Sequence, residues 1–205
     1  MRTITAAEHL SVPTRLADQP HIWAVDDFID ADTAAAALAV FSEEAFLAEN
    51  ADHYGWDSRS FAAEIMAARH PVLAAIMARV EAAVGHRSAH EPTFRFRWYN
   101  EGQGHPPHTD AYTFEDTRLS ISTLIGLACP EAGGETRFPD ALPEPVAVAP
   151  RLGRLVAWTS TTAGGVTDPY SRHDGAVVIA GTKGILLGFL YLEQGAITGD
   201  LVMKI

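Results

Sequence analysis

From Pro92 onward the chain breaks into short β-branched and aromatic runs divided by glycine and proline. This punctuation limits what it can fold into more than any other feature. TFRFRWYN alternates polar and aromatic residues, as a half-buried strand does. LSISTLIGLA, VAVAP, RLVAWTS, AVVIA and ILLGFLYL follow, separated by EGQGHPP, PEAGGE, PRLG, TAGG and AGTKG. Runs of strand length with turn residues between them build a sandwich or barrel, since each strand needs neighbours to satisfy its backbone and bury one face. The expected fold class is α+β, mainly β, with a jelly-roll core.

Residues 1–91 read differently. HIWAVDDFI (21–29) suits an edge strand and a turn. Asp30 or Asp32 can cap ADTAAAALAVFSEEAFLAEN, whose Ala, Leu and Phe positions recur at helical spacing. After a loop with Tyr54, Gly55 and Trp56, two further segments, SFAAEIMAARH and PVLAAIMARVEAAVG, read as helices. Pro71 opens the second and Gly85 stops it. Alanine favours helix but gives little to pack, so these helices are expected to brace the strands. The expected organisation is a single domain over 1–205, with helical support and an edge strand in 1–91 and the jelly-roll core in 92–205.

Composition narrows the partners. The 205 residues are 47% hydrophobic and carry a formal charge of -11, with Lys+Arg 15 against Asp+Glu 26. That balance repels phosphate backbones and anionic surfaces, so neither nucleic acid nor membrane is an expected partner. The single cysteine, Cys129, excludes an internal disulfide framework and any cysteine-rich metal site. No signal peptide is readable at the amino end, and no run approaches the roughly 18 apolar residues of a membrane span. A soluble, cytoplasmic protein is expected.

The sharpest chemical feature is His108-Thr109-Asp110. On a strand, residues two apart share a face, so an imidazole and a carboxylate converge. They supply two of the three ligands of a two-histidine, one-carboxylate site for non-haem iron. Most of the nine histidines sit at helix ends or in loops. His173 stands apart because it precedes an apolar strand, and Lys183 follows ten residues later. Lysine is rare in this chain: the other is Lys204.

Together these segments resemble the iron- and 2-oxoglutarate-dependent dioxygenases of the prolyl 4-hydroxylase-like branch. RWYNEGQGHPPHTD (97–110), LSISTLIGLACPEAGGETRFPD (119–140), APRLGRLVAW (149–158) and DPYSRHDGAVVIAGTKG (168–184) follow the family order and spacing. The resemblance implies a double-stranded β-helix (jelly-roll) core braced by the amino-terminal helices. It implies Fe(II) held by His108, Asp110 and His173. It also implies 2-oxoglutarate as cosubstrate, its distal carboxylate held by Lys183 with Thr136 and Tyr99. Dioxygen is the oxidant and ascorbate a possible reductant; the products are succinate, carbon dioxide and a hydroxylated C–H bond. An aspartate at position 110 points to hydroxylation, because halogenating relatives replace it with a small residue.

The sequence departs from the family at positions expected to face the substrate. His105 stands where a tyrosine is common, Gly184 and Phe189 stand where tryptophans are usual, and Arg118 falls one position from the family arginine. His105, Arg118, Trp56 and Trp158 are candidate substrate-binding residues. The segment Ser160–Arg172, with Gly164, Gly165 and Pro169, is expected to cap a closed pocket together with aromatics near Trp56. These departures favour a small-molecule substrate, such as an amino acid or an amino-acid-derived natural product. Peptidyl proline is the alternative. A non-catalytic jelly-roll binding module is the second alternative, and nucleic-acid demethylation fits poorly.

Overall fold

The computed structural model describes residues 1–41, 54–56, 61–110, 112–193 and 201–204, and structural statements here refer to these. The chain begins with β1 (Arg2–Ile4), β2 (Thr14–Ala17) and β3 (Ile22–Val25), followed by helix α1 (Ala31–Val40). Next come β4 (Tyr54–Trp56), β5 (Phe61–Met66) and helix α2 (Pro71–Val84). The main strands are β6 (Thr93–Tyr99), β7 (His105–His108), β8 (Thr113–Phe114), β9 (Thr117–Ala128), β10 (Ala132–Gly133), β11 (Thr136–Phe138), β12 (Val146–Val148) and β13 (Leu155–Thr159). The chain closes with β14 (His173–Gly175), β15 (Val178–Ala180) and β16 (Lys183–Glu193).

These strands form two principal sheets, the expected jelly-roll arrangement. The larger runs β2-β3-β13-β9-β16-β6-β5-β4, with β8 added to β9; the smaller runs β1-β12-β11-β14-β7. The centre of the larger sheet, β9 and β16, is buried on both faces. One face of it, with Phe94, Phe96, Ile121, Ile125, Leu155, Leu186 and Leu190, packs against Leu73, Ile76, Met77 and Val80 of α2 and Ala34, Ala37 and Val40 of α1. Each fully buried aliphatic side chain in such a layer contributes about 1.5–3 kcal/mol, so the helices brace the sheet mainly through α2. The opposite face meets the smaller sheet through Leu124, Val156, Trp158, Ile185, Phe138, Val146 and Val148.

Helix α2 starts at Pro71 and stops at Gly85 (φ +71°), as its sequence indicates. Asp30 caps α1 by accepting a hydrogen bond from the Thr33 N–H at 2.8 Å. The second half of the expected first helix, residues 42–50, lies outside the described residues.

Two expectations are corrected. SFAAEIMAARH is not a helix: Phe61–Met66 is β5, paired residue for residue with β6 from Phe61↔Trp98 to Met66↔Thr93. Its alanines carry helix propensity, but Ala63, Ile65 and Ala67 are buried while Glu64 and Met66 face out, a period of two. Pairing with the open edge of β6 outweighs propensity here. Nor is residues 22–25 an edge strand, because β2 covers its outer side and β13 its inner one. The amino-terminal third thus contributes strands to both sheets, and β1 runs parallel to β12.

A buried ion pair ties this amino-terminal segment to the core. Arg154, 1% exposed, places Nε 2.6 Å from Asp26 Oδ1 and Nη2 3.0 Å from Oδ2. Its guanidinium also donates to the carbonyls of Glu8, Ala149 and Thr5 at 2.6, 3.1 and 3.3 Å. No described helix is long and apolar enough to cross a membrane.

Candidate metal centre and cavity

The antiparallel pair β7–β14 sets His173 directly opposite His108. Asp110 lies two residues beyond the end of β7 rather than on the strand, with one carboxylate oxygen near the Nε2 of each ring. One donor atom from each of His108, Asp110 and His173 lies within 4.8 Å of the others. His108 Nε2 is 3.6 Å from Asp110 Oδ1, and His173 Nε2 is 3.8 Å from Asp110 Oδ2.

The hydrogen bonds around this trio fix which atoms face inward. His108 Nδ1 lies 3.0 Å from the Pro106 carbonyl and His173 Nδ1 2.9 Å from the Ser171 carbonyl. A carbonyl only accepts, so each Nδ1 carries the proton and each Nε2 presents a lone pair to the centre. Burial lowers the His173 pKa; Asp110 pulls it up and His108 pushes it further down, with a net fall that favours the neutral, ligating imidazole. Asp110, 4% exposed, accepts the Ser122 hydroxyl at 2.6 Å, and Ser122 sits 3.0 Å from the Ser160 hydroxyl. Two imidazoles and one carboxylate on one side of a point, with their outer atoms already bonded, fit a first-row divalent ion such as Fe(II).

The trio opens onto a cavity of about 250 Å³ lined on its far side by Lys183, Tyr99 and Thr136. Lys183, 3% exposed, begins β16 directly opposite Tyr99, with Nζ 5.5 Å from the phenol ring centroid. Among the described residues no carboxylate reaches ion-pair distance of that ammonium. Burial brings its pKa down to about 8, with Glu135, Cys129 and Asp174 pulling it upward. An anion in the cavity would supply the counter-charge that no described carboxylate gives this buried ammonium, which is the fit expected of a 2-oxo dicarboxylate. Gly133 and Gly134, with φ of +76° and +77°, shape the approach to β11 and hence the position of buried Thr136. A Cβ on Gly133 would collide with the Val177 carbonyl oxygen, so this close passage requires glycine.

The candidate substrate residues divide. His105 and Trp158 line the cavity; the His105 ring meets His108 edge-on at 4.5 Å and Trp158 meets His173 at 4.8 Å. Trp158 is 1% exposed, and its indole N–H has no hydrogen-bond partner among the described residues. Arg118 is not a lining residue: it sits in the outer part of β9, paired with Thr113 and Leu192. Trp56 belongs to strand β4, opposite Phe61, rather than to a loop; its side chain lies outside the described residues.

The segment Ser160–Arg172 supplies no lining residue and so does not cap the cavity. It is folded onto itself by Thr162 N–H to Val166, Gly165 N–H to Thr162 and Asp168 N–H to Ser160. Gly184, one of the departures expected to face substrate, lies on the opposite face of β16 from Lys183, whereas Phe189 does line the cavity.

Sequence reasoning missed Arg95 and Arg97, which line the cavity beside Tyr99. Their signal was present in TFRFRWY, where Arg95, Arg97 and Tyr99 recur at every second position. A polar strand face is normally turned to solvent, and here it is turned to the cavity.

No family model and no curated protein matches this sequence. Solved structures do match in fold. A viral collagen prolyl hydroxylase from Paramecium Bursaria Chlorella virus-1, in complex with 2-oxoglutarate, superposes with a TM-score of 0.64 at 16% identity, over 83% of this chain and 95% of that one. An oxidoreductase of the 2-oxoglutarate–Fe(II) oxygenase family from Burkholderia pseudomallei gives 0.56 at 15% identity, over 89% and 88%. A prolyl hydroxylase from Trichoplax adhaerens, in complex with a hypoxia inducible factor oxygen degradation domain peptide fragment, gives 0.56 at 14% identity, over 83% of each chain. The chain has the fold of these oxygenases.

Proposed function

We propose that this protein is an Fe(II)- and 2-oxoglutarate-dependent dioxygenase that hydroxylates a C–H bond of a small molecule, such as an amino acid or an amino-acid-derived natural product. Succinate and carbon dioxide are released. One observation carries the reading: His108 Nε2, Asp110 and His173 Nε2 converge at one wall of a cavity whose far side holds the buried ammonium of Lys183. A binding module without catalysis has no use for that pairing of a three-donor centre with a buried ammonium.

His108, Asp110 and His173 would hold the metal. When bound, iron with a 2-oxo acid and dioxygen supplies the oxidising chemistry that the side chains lack. The chain's own contribution is placement. The Pro106 and Ser171 carbonyls keep the imidazoles in the ligating tautomer, and Ser122 holds the carboxylate. Lys183 would receive the distal carboxylate of 2-oxoglutarate, Thr136 and Tyr99 helping to orient it. Leu124, Ile185, Leu187 and Phe189 keep that wall apolar, which strengthens the ion pair and limits water near the reacting carbon.

The second reading, hydroxylation of peptidyl proline, draws on the Trichoplax prolyl hydroxylase of the same fold, whose structure holds a peptide. Against it stand His105 and Phe189, which line the cavity where the family commonly has a tyrosine and a tryptophan. Anaerobic loading with Fe(II) and 2-oxoglutarate, then admission of oxygen with candidate substrates, decides between the two. Succinate release coupled to an amino-acid-sized compound, with proline-rich peptides inert, supports the proposal. Tight coupling to a proline-rich peptide replaces it with the peptidyl reading.

A further inference from the structure

We infer that the substrate of this centre carries a carboxylate, received by the guanidinium wall that Arg97 and Arg95 form on β6. This rests on the dioxygenase reading above and names the substrate class for that same site.

The register of the larger sheet locates the wall. Across β9, β16 and β6 the rows are Ser122–Phe189–Thr93, Leu124–Leu187–Arg95 and Gly126–Ile185–Arg97, followed by Lys183–Tyr99. Ser122 holds the metal-facing Asp110, so its row marks the level of the centre. Arg95 and Arg97 stand two strands to the side, about 10 Å at ordinary strand spacing. They lie between the level of the centre and that of Lys183. A ligand reaching them would occupy a lateral position, apart from the path between Lys183 and the metal ligands.

The charges of the lining point the same way. Lys183, Arg95 and Arg97 face the cavity together with two carboxylates, Asp110 and Asp174. Asp110 faces the histidines, and Asp174 accepts Arg137 Nε at 2.7 Å. The cavity therefore presents cationic groups within a chain whose formal charge is -11. Glu64 lies outside the lining and accepts Arg95 Nε at 3.0 Å and Nη2 at 2.6 Å, and the Tyr112 side chain bonds the same guanidinium, which fixes where it sits; Phe189 lies beneath it at 5.4 Å. A guanidinium has five donors, more than Glu64 and Tyr112 take from Arg95. The planar fork matches a carboxylate, and the apolar neighbours Ile185 and Leu187 suit the carbon skeleton joining it to the oxidised position.

The test uses the intact protein loaded anaerobically with Fe(II) and 2-oxoglutarate. The probes are the aliphatic and aromatic L-amino acids, each as free acid and as primary amide. Binding is read from perturbation of the visible metal-to-ligand band, and turnover from succinate. At least one acid should perturb the band, and its amide should need about tenfold to hundredfold more, the range for losing a charge-assisted contact. Arg97→Met should bring that acid to the level of its amide while leaving the 2-oxoglutarate band intact, and Arg97→Lys should recover part of the loss. Equal binding of acids and amides, silence from every acid, or an Arg97→Met protein that keeps acid preference overturns the inference. If no band forms with 2-oxoglutarate, the dioxygenase reading falls and this one with it; a band without acid preference removes this inference alone.

Discussion

His108 and His173 face each other across an antiparallel strand pair, ring centroids 4.3 Å apart, with each Nδ1 bonded to a carbonyl two residues earlier in its own chain segment. Two strands distant in sequence thus present matched lone pairs to one point, and Asp110 completes it. Replacing either histidine with alanine should abolish tight Fe(II) binding and all 2-oxoglutarate turnover while leaving the fold in place. Calorimetry with Mn(II) as a redox-inert stand-in checks this, because wild-type melting should rise with metal and the variants should not respond. An active His108→Ala protein that binds no metal would overturn the assignment.

Ser122 tests the support behind the ligands. Its hydroxyl donates to Asp110 Oδ2 at 2.6 Å from the centre of β9. Ser122→Ala should weaken metal binding about 10–100-fold, the usual effect of losing a group that orients a ligand. Stability of the metal-free protein should also fall, by about 1–3 kcal/mol, because Ser122 is fully buried and its loss takes a partner from both Asp110 and Ser160. Metal titration of the variant, with melting measured in chelator, separates the two effects.

Much of this site was legible because its chemistry needs rare residues at fixed spacing. His108, Asp110, His173 and Lys183 could be read in order, and turns such as Gly133-Gly134 had visible causes. What was hidden depended on neighbours. FAAEIM becomes β5 because β6 offers it an edge, and HIWAVDDFI becomes an inner strand because Thr14–Ala17, unremarkable in sequence, pairs outside it. Arg118 fell outside the cavity because it lies in the outer part of β9, and Arg95 and Arg97 fell inside because facing depends on which sheet side the smaller sheet covers. Alternation gives two faces of a strand; only packing decides which one meets the ligand.

The Asp26–Arg154 pair should dominate the acid stability of the core. Burial alone would raise the Asp26 pKa, but Arg154, the Leu10 N–H and Arg151 together hold it below its ordinary value. A carboxylate with a depressed folded pKa contributes stability that is present above its unfolded pKa and lost as pH falls through the folded one. Arg154→Ala should cost about 3–5 kcal/mol by taking its main partner from a buried charge. It should also flatten the decline of stability below about pH 4, near the unfolded aspartate value. Urea unfolding of both proteins across acid pH checks the magnitude and the shape; parallel curves would place the acid sensitivity elsewhere.

Lys183 should make 2-oxoglutarate binding fail on the alkaline side. Its ammonium is buried and its pKa is brought down to about 8, so in the free protein the charged form, which attracts the dicarboxylate, is lost as pH rises through that value. Binding the distal carboxylate restores a counter-charge and raises the pKa again, so above pH 8 each binding event must take up a proton. The affinity should therefore be flat below about pH 7.5 and then fall, approaching tenfold per pH unit. The proton uptake should appear as a buffer-dependent enthalpy in anaerobic calorimetry. Lys183→Met should remove both the alkaline fall and the buffer dependence and weaken 2-oxoglutarate by roughly 2–5 kcal/mol, with Mn(II) affinity unchanged. An unaltered 2-oxoglutarate affinity in that variant would mean that another cation of the cavity, Arg97 or Arg95, holds the distal carboxylate, and the placement of the cosubstrate would have to be reversed.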